Sequence, residues 1–136
     1  MKKIILAIIT ITNISFASNI TALRPIINNA AKEHNVSPII LEAIIRHESN
    51  HGKSNAAKVK NNLAGIMGRK GLKRFNSKEE CIDTLAKIIS KYKQSGRTSV
   101  TMIGKKYASD KNWSKQVQKH INVIKAGKHR EIDGDL

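Results

Sequence analysis

The chain has 136 residues, with 25 Lys and Arg against 10 Asp and Glu for a formal charge of +15, one Cys, two Pro and 4% aromatics. That length predicts one small domain that buries an adequate core without staples, and a single Cys excludes an internal disulfide. So basic a chain needs an anionic partner such as cell wall, outer-leaflet lipid or nucleic acid, while the charge is silent on fold.

Residues 1–17 have the three parts of a secretory leader: Lys2 and Lys3, an apolar run over residues 4–14, and a small-x-small exit at Ser15, Phe16 and Ala17. No other run approaches the roughly 18 apolar residues of a membrane span. The expected product is periplasmic or secreted: one domain over residues 18–127, then a polar, frayed tail over residues 128–136. Export makes nucleic acid the least expected of the three partners.

Five helices are predicted in chain order. The first, near residues 20–34, has Leu23, Ile27, Ala30 and Ala31 on one side and tolerates Pro25 in its first turn. The second opens with Ser37 as cap and Pro38 behind it, carries Leu41, Ile44 and Ile45 as a stripe, and stops at Gly52. A capping box, Ser77-Lys78-Glu79-Glu80, starts the third, which buries Cys81, Ile82, Leu85, Ile88, Ile89 and Tyr92 and is expected at the centre. Thr98 caps a fourth with Val100, Ile103 and Tyr107 on one stripe; the fifth carries Trp113, Val117, Ile121 and Ile124 up to Gly127. Residues 55–76 lack a helical period and read as a small, irregular β-hairpin lobe around Lys70 and Gly71. The fold class is therefore mainly α (α+β), with a cleft where the lobe meets the helices.

Few carboxylates are free for chemistry. Glu131, Asp133 and Asp135 fall in the tail, Glu79 and Glu80 serve a helix start, Glu42 pairs with Arg46 on a polar face, and Glu33 and Asp83 also lie on polar faces. Glu48 instead continues the apolar stripe at the end of its helix, where burial and the negative end of the helix dipole favour the protonated carboxyl. Such an acid can protonate a glycosidic oxygen as the bond breaks. A helix-end residue paired with a nearby cation is the structural alternative.

Glu48-Ser49 with Gly52-Lys53-Ser54, the stretch Asn61-Asn62-Leu63-Ala64-Gly65-Ile66-Met67-Gly68, then Phe75-Asn76-Ser77-Lys78-Glu79-Glu80, then Tyr107-Ala108-Ser109-Asp110 with Trp113 close behind, together resemble the peptidoglycan β-N-acetylglucosaminidase family, especially its phage and flagellar-type members. The resemblance implies a lysozyme-like fold acting on peptidoglycan glycan strands without a cofactor. It makes Glu48 the general acid and Tyr107 the second catalytic-site residue, with Asn62, Gly65, Asp110 and Trp113 about the substrate cleft. Many relatives carry a further carboxylate in the β lobe, but residues 52–77 contain no Asp or Glu. Asp110 could take its place, or the 2-acetamido group of the substrate could stabilise the transition state. A lytic transglycosylase of the same fold, or a silent cationic wall-binding protein, are the alternatives.

His47-Glu48-Ser49-Asn50-His51 also matches H-E-x-x-H, in which two His on one helix face hold zinc and the Glu activates water. A metzincin continuation needs Gly and His where Ser54 and Ala57 stand, so the zinc protease reading is the weaker and no metal is expected. His34, His120 and His129 read as surface or helix-end residues. Lys58, Lys60, Arg69, Lys70, Lys73 and Arg74 crowd the lobe, and Lys105, Lys106, Lys111 and Lys115 flank Tyr107, a distribution suited to an anionic wall or envelope surface.

Overall fold

The computed structural model describes the backbone of residues 17–133 and the side-chain surroundings of residues 20–128; all but the last residue of the expected leader lies outside this range. The elements in order are α1 (Ala17–Ala22), α2 (Arg24–His34), α3 (Pro38–Glu48), α4 (Asn55–Lys60), β1 (Met67–Gly68), β2 (Gly71–Leu72), α5 (Lys78–Gln94), α6 (Val100–Tyr107) and α7 (Trp113–Asp133). Serine hydroxyls fix four of the helix starts. Ser37, Ser54, Ser77 and Ser99 each accept from the backbone N–H three residues on, satisfying a donor that the first turn leaves orphaned.

The mainly helical class with a small hairpin is as expected, but the described residues form seven helices rather than five. Pro25 has no N–H to carry an upstream helix onward, so α1 ends at Ala22 and α2 starts afresh at Arg24. The lobe begins with α4, a turn and a half that is too short to show a period and buries only Ala57. Ser99, not Thr98, caps α6. Gly127 does not end α7, which continues to Asp133.

The hairpin itself is small: Met67 pairs with Leu72 and Gly68 with Gly71, antiparallel, around Arg69 and Lys70. α3, rather than α5, occupies the centre, for Leu41, Glu42, Ala43, Ile44 and Ile45 are buried in succession. It packs against α2, α5 and α7. Around it lie Ile27 and Ala31 from α2, Ile82, Leu85 and Ile89 from α5, and Val117, Ile121 and Ile124 from α7. Burying a large aliphatic side chain stabilises by about 1.5–3 kcal/mol, so this shell holds the C-terminus of α3 rigidly.

Glu42 corrects the sequence reading. It is 3% exposed, because Arg24 reaches over from α2 to join Arg46. The Arg46 Nη2 to Glu42 Oε1 distance is 2.7 Å and that from Arg24 Nε to Oε2 is 3.3 Å. No helix among the described residues is long and apolar enough to cross a membrane.

Candidate active site at the end of helix α3

Glu48 is the last residue of α3, and the chain turns sharply after it. Asn50, His51 and Gly52 have φ of 47, 56 and 82°, three successive left-handed residues. Ser49 makes this turn affordable: its N–H and hydroxyl both donate to Ile45 O, and its Oγ accepts from Gly52 N at 2.8 Å. His51 N–H donates to Arg46 O and Ser54 N–H to Ser49 O, so the backbone remains paired. Glu48 is thereby fixed, partly exposed, at the mouth of the helix.

The segment from Asn61 to Ile66 faces it. Asn62 is 1% exposed and uses its whole amide internally. Nδ2 donates to Ile66 O and Lys73 O at 2.8 and 2.9 Å, while Oδ1 accepts from Ala64 N and Ile66 N. Asn62 therefore shapes the loop from within and has no face left for a sugar. Gly65, with φ of +65°, is the point of closest approach: a Cβ built on it would stand 2.9 Å from Oε2 of Glu48. Glycine alone combines that backbone with that clearance.

Two aromatics close the other side. Trp113 Nε1–H donates to Glu48 Oε1 at 2.6 Å, and the ring is 2% exposed. Trp113 thus holds the acid from the core rather than offering a face to a sugar. Gly104 of α6 makes room for it, since a Cβ there would meet Cε3 of the indole at 2.9 Å. The Tyr107 ring stacks at 5.2 Å from Trp113, tilted by 32°, and its hydroxyl donates to Ala64 O. Burial first, and the nearby Glu48 carboxylate second, push the Tyr107 phenol well above its ordinary range. It is a protonated donor at neutral pH and cannot serve as a base.

Glu48, Gly65, Tyr107 and Trp113 are thus assembled from α3, the lobe, α6 and α7, with Asn62 supporting from behind. Asp110 stands apart. It is exposed, accepts from Asn112 N at 2.8 Å at the start of α7, and lines a depression with Gly104, Lys105, Ser109, Lys111 and Ser114 in which Glu48 takes no part.

The H-E-x-x-H motif does not have its zinc geometry, because α3 ends at Glu48 and His51 lies beyond it in left-handed backbone. His120 is not a plain surface residue: its ring centroid is 5.2 Å from that of His51 and 6.1 Å from that of His47. Burial lowers the pKa of both His51 and His120, helped by Arg46 and Lys53 at His51 and by the other two imidazoles at His120. His34 also differs from the surface reading, being part-buried against Asp83 at 2.6 Å. Among the described residues Glu33, His34 and Asp83 bring three donor atoms within 4.8 Å of one another, but Lys87 already neutralises Asp83 at 2.9 Å.

The lobe cations are mostly exposed, although Arg74 donates to Val59 O, Lys60 to Leu72 O, and Lys73 lies 5.1 Å above the Phe75 ring. Such contacts tether the stems and leave much of the charge facing solvent.

The family model described as glucosaminidase, mannosyl-glycoprotein endo-beta-N-acetylglucosaminidase, matches residues 24–126. No curated protein matches the chain. Among solved structures, the catalytic domain of the autolysin Auto from Listeria monocytogenes superposes with a TM-score of 0.68 at 19% identity, covering 80% of this chain and 84% of that one. At that identity the likeness speaks for the fold.

Proposed function

Because the chain belongs to the mannosyl-glycoprotein endo-beta-N-acetylglucosaminidase family, a family of glycoside hydrolases, we propose that it is an exported peptidoglycan hydrolase with Glu48 as general acid. Its substrate is the β-1,4-linked glycan strand, cut on the reducing side of N-acetylglucosamine. The observation that carries this reading is the carboxyl of Glu48 clamped between the Trp113 indole and the Gly65 backbone at a partly open helix end.

With Oε1 accepting the indole N–H, the transferable proton belongs on Oε2, the oxygen facing Gly65. That proton passes to the glycosidic oxygen as the C1–O bond breaks. No carboxylate in residues 52–77 can attack C1, so the carbonyl oxygen of the same sugar's 2-acetamido group closes on it, as in the substrate-assisted exceptions to the two-carboxylate scheme. Water then attacks C1, reopens the ring so formed and returns a proton to Glu48. Tyr107 and Asn62 hold the loop that carries Gly65. The exposed lobe cations draw the enzyme to an anionic wall.

Mass spectrometry of digested sacculi tests the reading. New reducing N-acetylglucosamine ends are expected. Anhydro-muramyl ends would make the protein a lytic transglycosylase, and intact sacculi that still pellet the protein would leave only a wall binder. Glu48→Gln keeps the side chain's shape and removes the donated proton, so activity should fall by about 10²- to 10⁴-fold with sacculus binding and melting temperature unchanged.

A further inference from the structure

We propose that the β lobe is a docking surface for an anionic lipid bilayer, a contact that goes beyond the glycosidase reading and does not depend on it. Five large hydrophobic side chains are exposed among the described residues, and three of them, Val59, Met67 and Leu72, belong to this lobe at 52, 67 and 38% exposure. Successive strand residues face opposite sides, so Ile66, which packs on the core, turns Met67 outward. Pairing then sets Leu72 beside it on the same outer face. The last turn of α4 is tied to this hairpin, for Arg74 donates to Val59 O and Lys60 to Leu72 O.

Cations frame the apolar pair. Arg69 and Lys70 stand at the tip between the strands, Lys73 and Arg74 follow β2, and Lys58 and Lys60 lie in α4, whereas residues 52–77 hold no Asp or Glu. The charges and the apolar side chains ask different things of a partner, and an anionic bilayer supplies both: its phosphates attract Lys and Arg, and its acyl chains take up exposed Met and Leu. An anionic polymer without lipid would satisfy the charges and leave Met67 and Leu72 in water. A neutral apolar partner would leave the cations without counter-charge.

The contact is interfacial, since no helix among the described residues is long and apolar enough to cross a membrane. Arg69 and Lys70 limit its depth, because carrying them into hydrocarbon is costly and holds the turn at the level of the headgroups. Gly65, which faces Glu48, lies two residues before Met67, so a docked hairpin would hold the Glu48 cleft beside the membrane surface.

Co-sedimentation with vesicles tests the surface, using the exported chain purified after removal of its leader, so that only the folded domain and its tail contribute. The chain should pellet with vesicles of equimolar phosphatidylglycerol and phosphatidylcholine, and bind pure phosphatidylcholine about tenfold or more weakly. Met67→Ser together with Leu72→Ser should weaken binding to the anionic vesicles about tenfold. Arg69→Gln together with Lys70→Gln should do so by a similar factor that shrinks as salt rises. All four side chains are exposed, so melting temperatures should stay native. Met102→Ser and Val123→Ser, at exposed positions on α6 and α7, should bind as the native chain does. Binding to neither vesicle, equal binding to both, or loss with Met102 or Val123 as great as with Met67 and Leu72 would overturn the proposal. So would binding indifferent to the Met67 and Leu72 pair, which would make the lobe an electrostatic surface for anionic polymers alone.

Discussion

The indole N–H of Trp113 donates to Oε1 of Glu48 across 2.6 Å, so the first residue of α7 holds the last residue of α3. The bond fixes which carboxyl oxygen is free to act. It also explains why Gly104 lies under the ring, where any side chain would displace it.

Trp113→Phe removes that donor and part of the buried ring that packs on Gly104 and Tyr107. Turnover on sacculi should fall about 10- to 100-fold, the penalty typical of a misplaced reacting group. Stability should drop by about 1–3 kcal/mol from the void left behind, measured by urea unfolding. Native turnover in a folded Trp113→Phe variant would show that the clamp is structural only.

Gly65→Ala places a methyl group 2.9 Å from Glu48 Oε2 and forces alanine to φ of +65°. The backbone cost alone is about 1–2 kcal/mol. Activity should fall by about 10²-fold or more, well beyond what so small a stability change explains, because the acid must swing away from the sugar's approach. Comparing turnover with the urea midpoint separates the two effects.

What was legible in the sequence was what is local. The serine caps and apolar stripes placed α3, α5 and much of α7, and the same stripe put Glu48 at a helix end. What failed depends on contacts between distant residues. Spacing alone makes Glu42 a polar-face partner of Arg46, and it is Arg24, from another helix, that covers it. The resemblance places Trp113 and Asn62 about the cleft, whereas each spends its polar atoms inward, on Glu48 and on the loop backbone. The apparent zinc motif assumed a helix through His51, where Ser49 and Gly52 build a left-handed turn instead. Gly52 was the available signal for that break.

Asp83 gives a pH-dependent test of the α2–α5 contact. The hydrogen bond from His34, then that from Lys87, holds its carboxyl below the usual carboxylate range. A depressed folded-state value means that its contribution is complete above the unfolded value of about 3.9 and is lost as pH falls through the folded value. Asp83→Asn should therefore be slightly less stable than the native chain at pH 7. The gap should close below about pH 4. Urea midpoints across that range check it, and a gap that persists at pH 2 would assign the effect to packing.

Tyr107→Phe asks whether the phenol acts on the sugar or through the loop. Its proton is already committed to the carbonyl of Ala64, a fully buried residue, so removing the hydroxyl strands that carbonyl at a cost of about 1–3 kcal/mol. A phenol pushed well above its ordinary range neither gains nor loses a proton as the enzyme works near neutrality. Acting through Ala64, it positions Gly65 against Glu48. The expected variant is less stable, about tenfold slower on sacculi at a temperature where it is folded, and unchanged in the shape of its pH–rate profile. A loss of about 10³-fold with native stability would instead place the hydroxyl against the reacting sugar.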